Sequence, residues 1–381
     1  MISMKLRILI CPLLLLVSCS KQTSMIDISQ VEPRIPQIEF QLEGKAKKGF
    51  FIGMEPFLLQ KDYRSEESFY RILKAYFDYA KKEEVIATER TVVILPEYLG
   101  TWLVASGEDS TLFDKKTIAE AMQEVALSHL GRFLWIYFFE KSYASDKMKE
   151  TLFRMKALQM ADSYQNVFSR LATEYRVDIV AGSIVLPEPK VIEGKITITD
   201  GPLQNVSFYF HSDGTVDAKI TRKQFLIDEE KNFLSNQLKI SNPVFKTPLG
   251  LLYIMICADS WYPEAYKDAK ENSAEIIAIP SLVAPAESWN LKWNGYNGEQ
   301  APIDVNHQDV LKISEWQAWK KYSLLGRSKK ININTGMNVF FNGNIWDLNP
   351  SGSAFLLRNG KQVSVKRNKE KSLGVIYALG I

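Results

Sequence analysis

The chain predicts a layered α/β domain, and three observations carry that class. Short apolar runs closed by proline, glycine or polar residues recur along its 381 residues. Segments with apolar residues three and four apart lie between those runs, so strands alternate with helices. A composition of 46% hydrophobic and 24% charged residues is that of an ordinary globular protein, enough for one large domain or two small ones.

Gly49–Met54 is a short apolar strand. Phe69, Ile72, Leu73, Tyr76, Phe77 and Ala80 then recur at helical spacing, with Ser65 as N-cap and Glu66 and Glu67 in the first turn. Thr91–Leu95, apolar after its first residue, is a second strand. Residues 116–176 read as mainly helical, and Asp178–Leu186 as a strand. Residues 194–226 form a strand pair about the turn Ser212-Asp213-Gly214. Leu251–Ile256 and Glu275–Pro280 are strands flanking a helix at about 264–272. A helix near 314–327 precedes strands near 330–341, 353–358 and 373–379. No internal repeat or low-complexity segment interrupts this order.

The N-terminus has the pattern of a secretory leader. Lys5 and Arg7 precede the apolar stretch Ile8–Val17, which is too short to span a bilayer stably. Leu16-Val17-Ser18-Cys19 resembles the lipobox of bacterial lipoproteins. That resemblance implies cleavage before Cys19 and a diacylglycerol on its thiol. Expected boundaries are a signal peptide at 1–18, a lipidated N-terminus and flexible linker at 19–46, and the main folded domain at 47–381. The expected location is the bacterial cell envelope, tethered to a membrane and facing out of the cytoplasm. The formal charge of +3 falls to +1 without Lys5 and Arg7, which is no electrostatic footprint for nucleic acid.

Of three cysteines, Cys11 leaves with the leader and Cys19 carries lipid, so Cys257 has no intramolecular disulfide partner. Cys257 closes the apolar run Gly250–Ile256 and precedes a polar turn, which holds a thiol at a sheet rim. A buried structural cysteine is the alternative. Glu97 stands in the same situation after Val92-Val93-Ile94-Leu95-Pro96, where proline stops the ladder. Lys223 ends the second strand of the hairpin. Carboxylate, ammonium and thiol are what a cysteine amidase needs: a base, a cation for the anionic intermediate and a nucleophile. The histidines His129, His211 and His307 show no metal-ligand pattern, and neither a zinc site nor a glycine-rich phosphate loop is present in the sequence. No metal or organic cofactor is expected.

VVILPEY around Glu97, TRKQFL around Lys223 and GLLYIMICADSWYPE around Cys257, in this order, resemble the nitrilase or carbon–nitrogen hydrolase superfamily. Ala181-Gly182-Ser183, Asn205, Asp213-Gly214 and Gly352-Ser353-Ala354 support the match over residues 48–380. The resemblance implies a four-layer α-β-β-α sandwich, a Glu97–Lys223–Cys257 triad and subunits paired through helices on one face, hence a homodimer. It also implies a second glutamate after the lysine, Glu230 or its neighbour Glu229. Ala258, through its backbone N–H, Glu230 and Tyr98 are the candidate oxyanion and substrate contacts.

Three features depart from a compact member of that superfamily. A helical insertion near 105–160 carries Phe133–Phe139, seven apolar residues in a row. This run is core, a subunit contact, a wall over the site or a lipid-touching surface. Ala258-Asp259 stands where the true nitrilase branch has Trp-Glu, which favours an amide over a nitrile. The loop 285–302, with Trp289, Trp293 and Tyr296, either packs or closes over substrate. The function expected is a lipid-anchored amidase working through a cysteine thioester. An acyltransferase to an amine and a non-catalytic binding lipoprotein are the alternatives.

Overall fold

The computed structural model describes residues 34–236, 241–365 and 372–381. The leader, Cys19 and the start of the expected linker lie outside the described residues. Pro33–Ile381 forms one compact unit.

Two sheets stack face to face. The first has eight strands in the order Ile38–Glu43, Gly374–Gly380, Phe50–Glu55, Thr91–Ile94, Asp178–Val180, Leu203–Phe210 and Val216–Arg222, with Ile184–Pro187 also on Leu203–Phe210. The second has six, in the order Val244–Thr247, Gly250–Ile254, Ile276–Ser281, Thr335–Phe340, Phe355–Arg358 and Lys361–Val363. Phe51, Val92, Ile94 and Val180 of the first sheet meet Leu252, Ile254, Ala278 and Met337 of the second in one buried cluster. Their neighbours Ile52, Val93 and Ile179 point the other way, against helices Glu66–Lys82 and Lys147–Tyr175. Helices Pro263–Glu271, Glu315–Tyr322 and Leu324–Ile331 cover the outer face of the second sheet. Both faces of each central strand are therefore buried, which is why these strands are continuously apolar. The result is the expected four-layer α-β-β-α sandwich.

Ser65 caps its helix as expected, its hydroxyl accepting from the Ser68 N–H at 3.1 Å. Four expectations need correction. Ile38–Glu43, expected inside the linker, is an edge strand parallel to Gly374–Gly380. The strand expected at 178–186 breaks at Ala181-Gly182-Ser183 into Asp178–Val180 and Ile184–Pro187. The single helix at 314–327 is two, split at Ser323, whose hydroxyl is buried against that of Ser260. The second of these extends to Ile331, so the next strand begins at Thr335 and not near 330. The insertion is helical, with Ile118–Ser128, Leu130–Phe139 and the first half of Lys147–Tyr175. Among the described residues no helix is long and apolar enough to cross a membrane.

Candidate active site

Glu97 is held by the end of a buried strand. The Leu95 N–H still bonds Val180 O at 3.1 Å, and Pro96 then stops the ladder. Tyr98 turns the chain in the left-handed region, φ 60°, and its N–H donates to Ser183 Oγ at 2.8 Å. The break at 181–183 makes this possible. Gly182 has φ +69°, and a Cβ there would fall 2.1 Å from the Pro96 carbonyl oxygen.

Lys223 follows Val216–Arg222, and its backbone N–H bonds Asn205 O at 2.9 Å. Its Nζ donates to Glu97 Oε1 at 2.8 Å and to Glu230 Oε1 at 2.7 Å. Asn205 Nδ2 donates to the same Glu97 oxygen at 3.0 Å. Glu230 also accepts from the Ile227 N–H at 3.1 Å and from the Tyr98 hydroxyl. Glu229 instead faces Asn297, so Glu230 is the glutamate that meets the lysine.

Cys257 comes from the other sheet. The ladder runs on through Met255 N–H to Ala278 O at 3.0 Å, and Cys257 then adopts φ 49°. That conformation costs a non-glycine residue on the order of 1–3 kcal/mol and turns the side chain off the strand line. Its Sγ donates to Leu282 O at 3.8 Å, and the thiol and the Glu97 carboxylate are near enough for each to shift the other's titration. Ala258 follows inside the short helical turn Cys257–Trp261.

Asp259, which motif reasoning used only to weigh substrates, ties the two halves together. Its Oδ1 accepts from the Gln224 and Phe225 N–H groups at 2.9 and 2.8 Å, and its Oδ2 from Ile256 N–H at 3.1 Å. One carboxylate thus joins the residues after Lys223 to the residue before Cys257. Burial pushes its pKa up to about 7, against those three donors and Lys223.

Electrostatics follow from burying two carboxylates, one ammonium and a thiol together. Burial raises Glu97; Lys223 opposes the rise and Glu230 adds to it. Burial pulls Lys223 down, but the charges of Glu230, Glu97 and Cys257 outweigh it and hold the ammonium well above the ordinary lysine range. Burial and the Glu97 charge push the Cys257 thiol well up, which favours its protonated form.

The loop 285–302 packs. Trp293 stacks on Trp261 at 5.9 Å, and the Tyr296 hydroxyl donates to Trp261 O at 2.8 Å. Trp289 is buried against Trp319 and Phe340. At its far end Asn297 Oδ1 accepts from the Asp228 N–H at 3.2 Å, beside Glu230. The loop therefore braces the residues after Cys257 and those around Glu230. Among the described residues no cluster of His, Cys, Asp or Glu could hold a metal ion.

A sequence profile for carbon-nitrogen hydrolases matches residues 91–296, more than half of the chain and all three triad positions. The chain belongs to the carbon-nitrogen hydrolase family. A probable hydrolase of Bacillus subtilis, YhcX, is 30% identical over 122 residues, which is 32% of this chain and 21% of YhcX. The probable nitrilase C965.09 of Schizosaccharomyces pombe is 28% identical over 111 residues, 29% of this chain and 36% of that one. The matches therefore span well under half of either relative. Among solved structures, an amidase from Nesterenkonia sp. aligns with TM-score 0.52 and 12% identity, over 89% of this chain and 92% of that one. A mutant of that amidase with the acetamide moiety of fluoroacetamide added covalently at its active-site cysteine aligns with TM-score 0.51 and 14% identity, over 89% and 92%. At such identities the likeness carries the carbon-nitrogen hydrolase fold alone.

Proposed function

We propose that this chain is a lipid-anchored amidase of the cell envelope, hydrolysing a non-peptide amide-type bond through a thioester on Cys257. One observation carries the reading: Lys223 bridges Glu97 and Glu230 in a buried site where the Glu97 charge acts on the Cys257 thiol. Glu97 takes the thiol proton as sulfur attacks the amide carbonyl carbon. The carbonyl π electrons move to oxygen. An ammonium has three N–H donors; two go to Glu97 and Glu230, and the third is available, with the Ala258 N–H, to the oxyanion. The C–N bond then breaks, and the amine leaves with the proton that Glu97 held. Water, giving a proton to Glu97, attacks the thioester carbonyl; the acid departs and sulfur regains its proton. Tyr98 and Glu230 hold the lysine side of the site, and no cofactor enters. The Nesterenkonia variant with a covalent acetamide group on its cysteine supports by analogy only the nucleophilic part played by Cys257.

The test is mass spectrometry of the full chain during turnover of a panel of small amides, ureides and acylated amines. A mass increase on the peptide holding Cys257, absent in Cys257→Ala, is expected. Cys257→Ala and Cys257→Ser fold normally and lose several orders of magnitude in rate. A folded Cys257→Ala protein with near-normal turnover overturns the reading.

A further inference from the structure

Helix Leu130–Phe139 presents one face to the protein and leaves the other uncovered. Phe133 and Ile136 are buried against the insertion. Leu130, Leu134 and Phe138 form one outward row, and Trp135 and Phe139 a second, their rings 4.7 Å apart. Trp135, Phe138 and Phe139 are 62%, 67% and 72% exposed. Scattered apolar residues on a surface need no explanation, but five contiguous large ones on one short helix do.

The surroundings narrow the occupant. Arg132 on this helix and Lys141 and Lys147 just after it outnumber the one acid Glu140, while Lys149 pairs with Asp146 at 3.5 Å. The ammonium of Lys147 stands 4.6 Å over the Tyr137 ring, and that of Lys141 4.4 Å over Tyr143. Lysine ammonium groups held over aromatic rings beside an exposed apolar face suit the boundary between acyl chains and anionic headgroups. Protein–protein interface cores are instead depleted in lysine. The position of the chain's entry agrees. Arg34 binds Asp62 at 2.7 Å, and the adjacent Lys61 pairs with Asp114 at 2.9 Å, four residues before helix Ile118–Ser128. The described chain thus begins beside a segment that is itself tied to the residues leading into the helical pair. The 15 residues from Cys19 to Pro33 reach at most about 50 Å when extended.

We propose that the outward face of Leu130–Phe139 is a membrane-docking surface that inserts Trp135, Phe138 and Phe139 into the headgroup–acyl boundary of an anionic bilayer. The surface acts beside any lipid on Cys19 and orients the catalytic unit on the membrane. Docking is read by the depth of Trp135, whichever way the N-terminus is held, and does not involve Cys257. A failure here is therefore distinct from a failure of the amidase reading.

The experiment uses the full chain with phosphatidylcholine vesicles, with and without phosphatidylglycerol, carrying brominated acyl chains. Bromine quenches a component of the tryptophan emission of the vesicle-bound protein. Trp135→Phe stays bound and loses that component. The triple variant Trp135→Ser/Phe138→Ser/Phe139→Ser, altered only at exposed positions, partitions at least tenfold less onto the phosphatidylglycerol vesicles. Quenching that persists in Trp135→Phe, bound protein that bromine leaves unquenched, or unchanged partition of the triple variant overturns the proposal. A parent that is dimeric by light scattering, a monomeric triple variant and equal vesicle binding assign the face to a second copy of this chain and also overturn it.

Discussion

Replacing Lys223 with methionine keeps the apolar stem and removes the charge, so it separates what the cation does for stability from what it does for chemistry. The native cluster holds two carboxylates and one ammonium out of water. In Lys223→Met the two carboxylates remain in the same buried space without their counter-ion. Breaking a buried pair in this way costs about 3–5 kcal/mol. The cost depends on pH, because the stranded carboxyls escape it by taking protons. Burial already raises Glu97 above the unfolded glutamate value of about 4.3, and the substitution removes the charge that opposes that rise. A group raised on folding destabilises as pH climbs from the unfolded value toward the folded one. The deficit against the native protein is therefore largest near pH 8 and shrinks toward pH 5. Urea unfolding at both pH values measures it. Lys223→Met/Glu230→Gln restores a single negative charge and recovers part of the stability, while acylation stays about 10²–10³-fold down. A deficit that is flat with pH, or a normal single-turnover acylation rate, refutes the reasoning. Lys219, in the same hairpin, is exposed and bonds Val244 O at 2.9 Å, so no second lysine of that strand stands in.

Three further outcomes are expected. Glu97→Gln lowers acylation by about 10²–10⁴-fold and removes the acid limb of the kcat/KM profile; in the native enzyme that limb lies above the ordinary glutamate range, because burial raises Glu97. Cys19→Ala moves most of the exported protein from the membrane to the soluble fraction, and a salt wash frees the remainder; a variant that still pellets fully after the wash counts against the anchor. Glu55 is buried beneath the Phe340 N–H and its pKa is pushed up to about 8, so native stability falls as pH rises from about 4.3 to about 8. Glu55→Gln flattens that slope, and an unchanged slope in urea titrations disproves the assignment.

The strand ends were the legible part of the sequence. Val92–Leu95 and Leu251–Ile256 are apolar on both faces because helices and a second sheet cover them, and each ends where a functional side chain begins. Ile38–Glu43 was equally open to reading, since Ile38, Phe40 and Leu42 alternate with Glu39, Gln41 and Glu43. A polar, proline-bearing neighbourhood hid that period. The break at Gly182 was not legible, because what forbids a side chain there is the carbonyl of Pro96, about ninety residues away. Nor was the role of Asp259: its three donors come from two separate loops, and no local spacing announces them. Glu229 and Glu230 were indistinguishable by type, and only the turn Asp228–Lys231 aims one of them at Lys223.

The site is divided between layers: Glu97 and Lys223 belong to one sheet and Cys257 to the other, with Asp259 as the clasp. Neither sheet alone owns a nucleophile with its base. A chain with every strand formed but its sheets still apart carries a common thiol, with no proton acceptor within reach. Catalytic competence is thus the last property to arrive as the protein matures. In a refolding experiment, hydrolase activity is expected to return only when the two halves close, later than any signal of helix or strand.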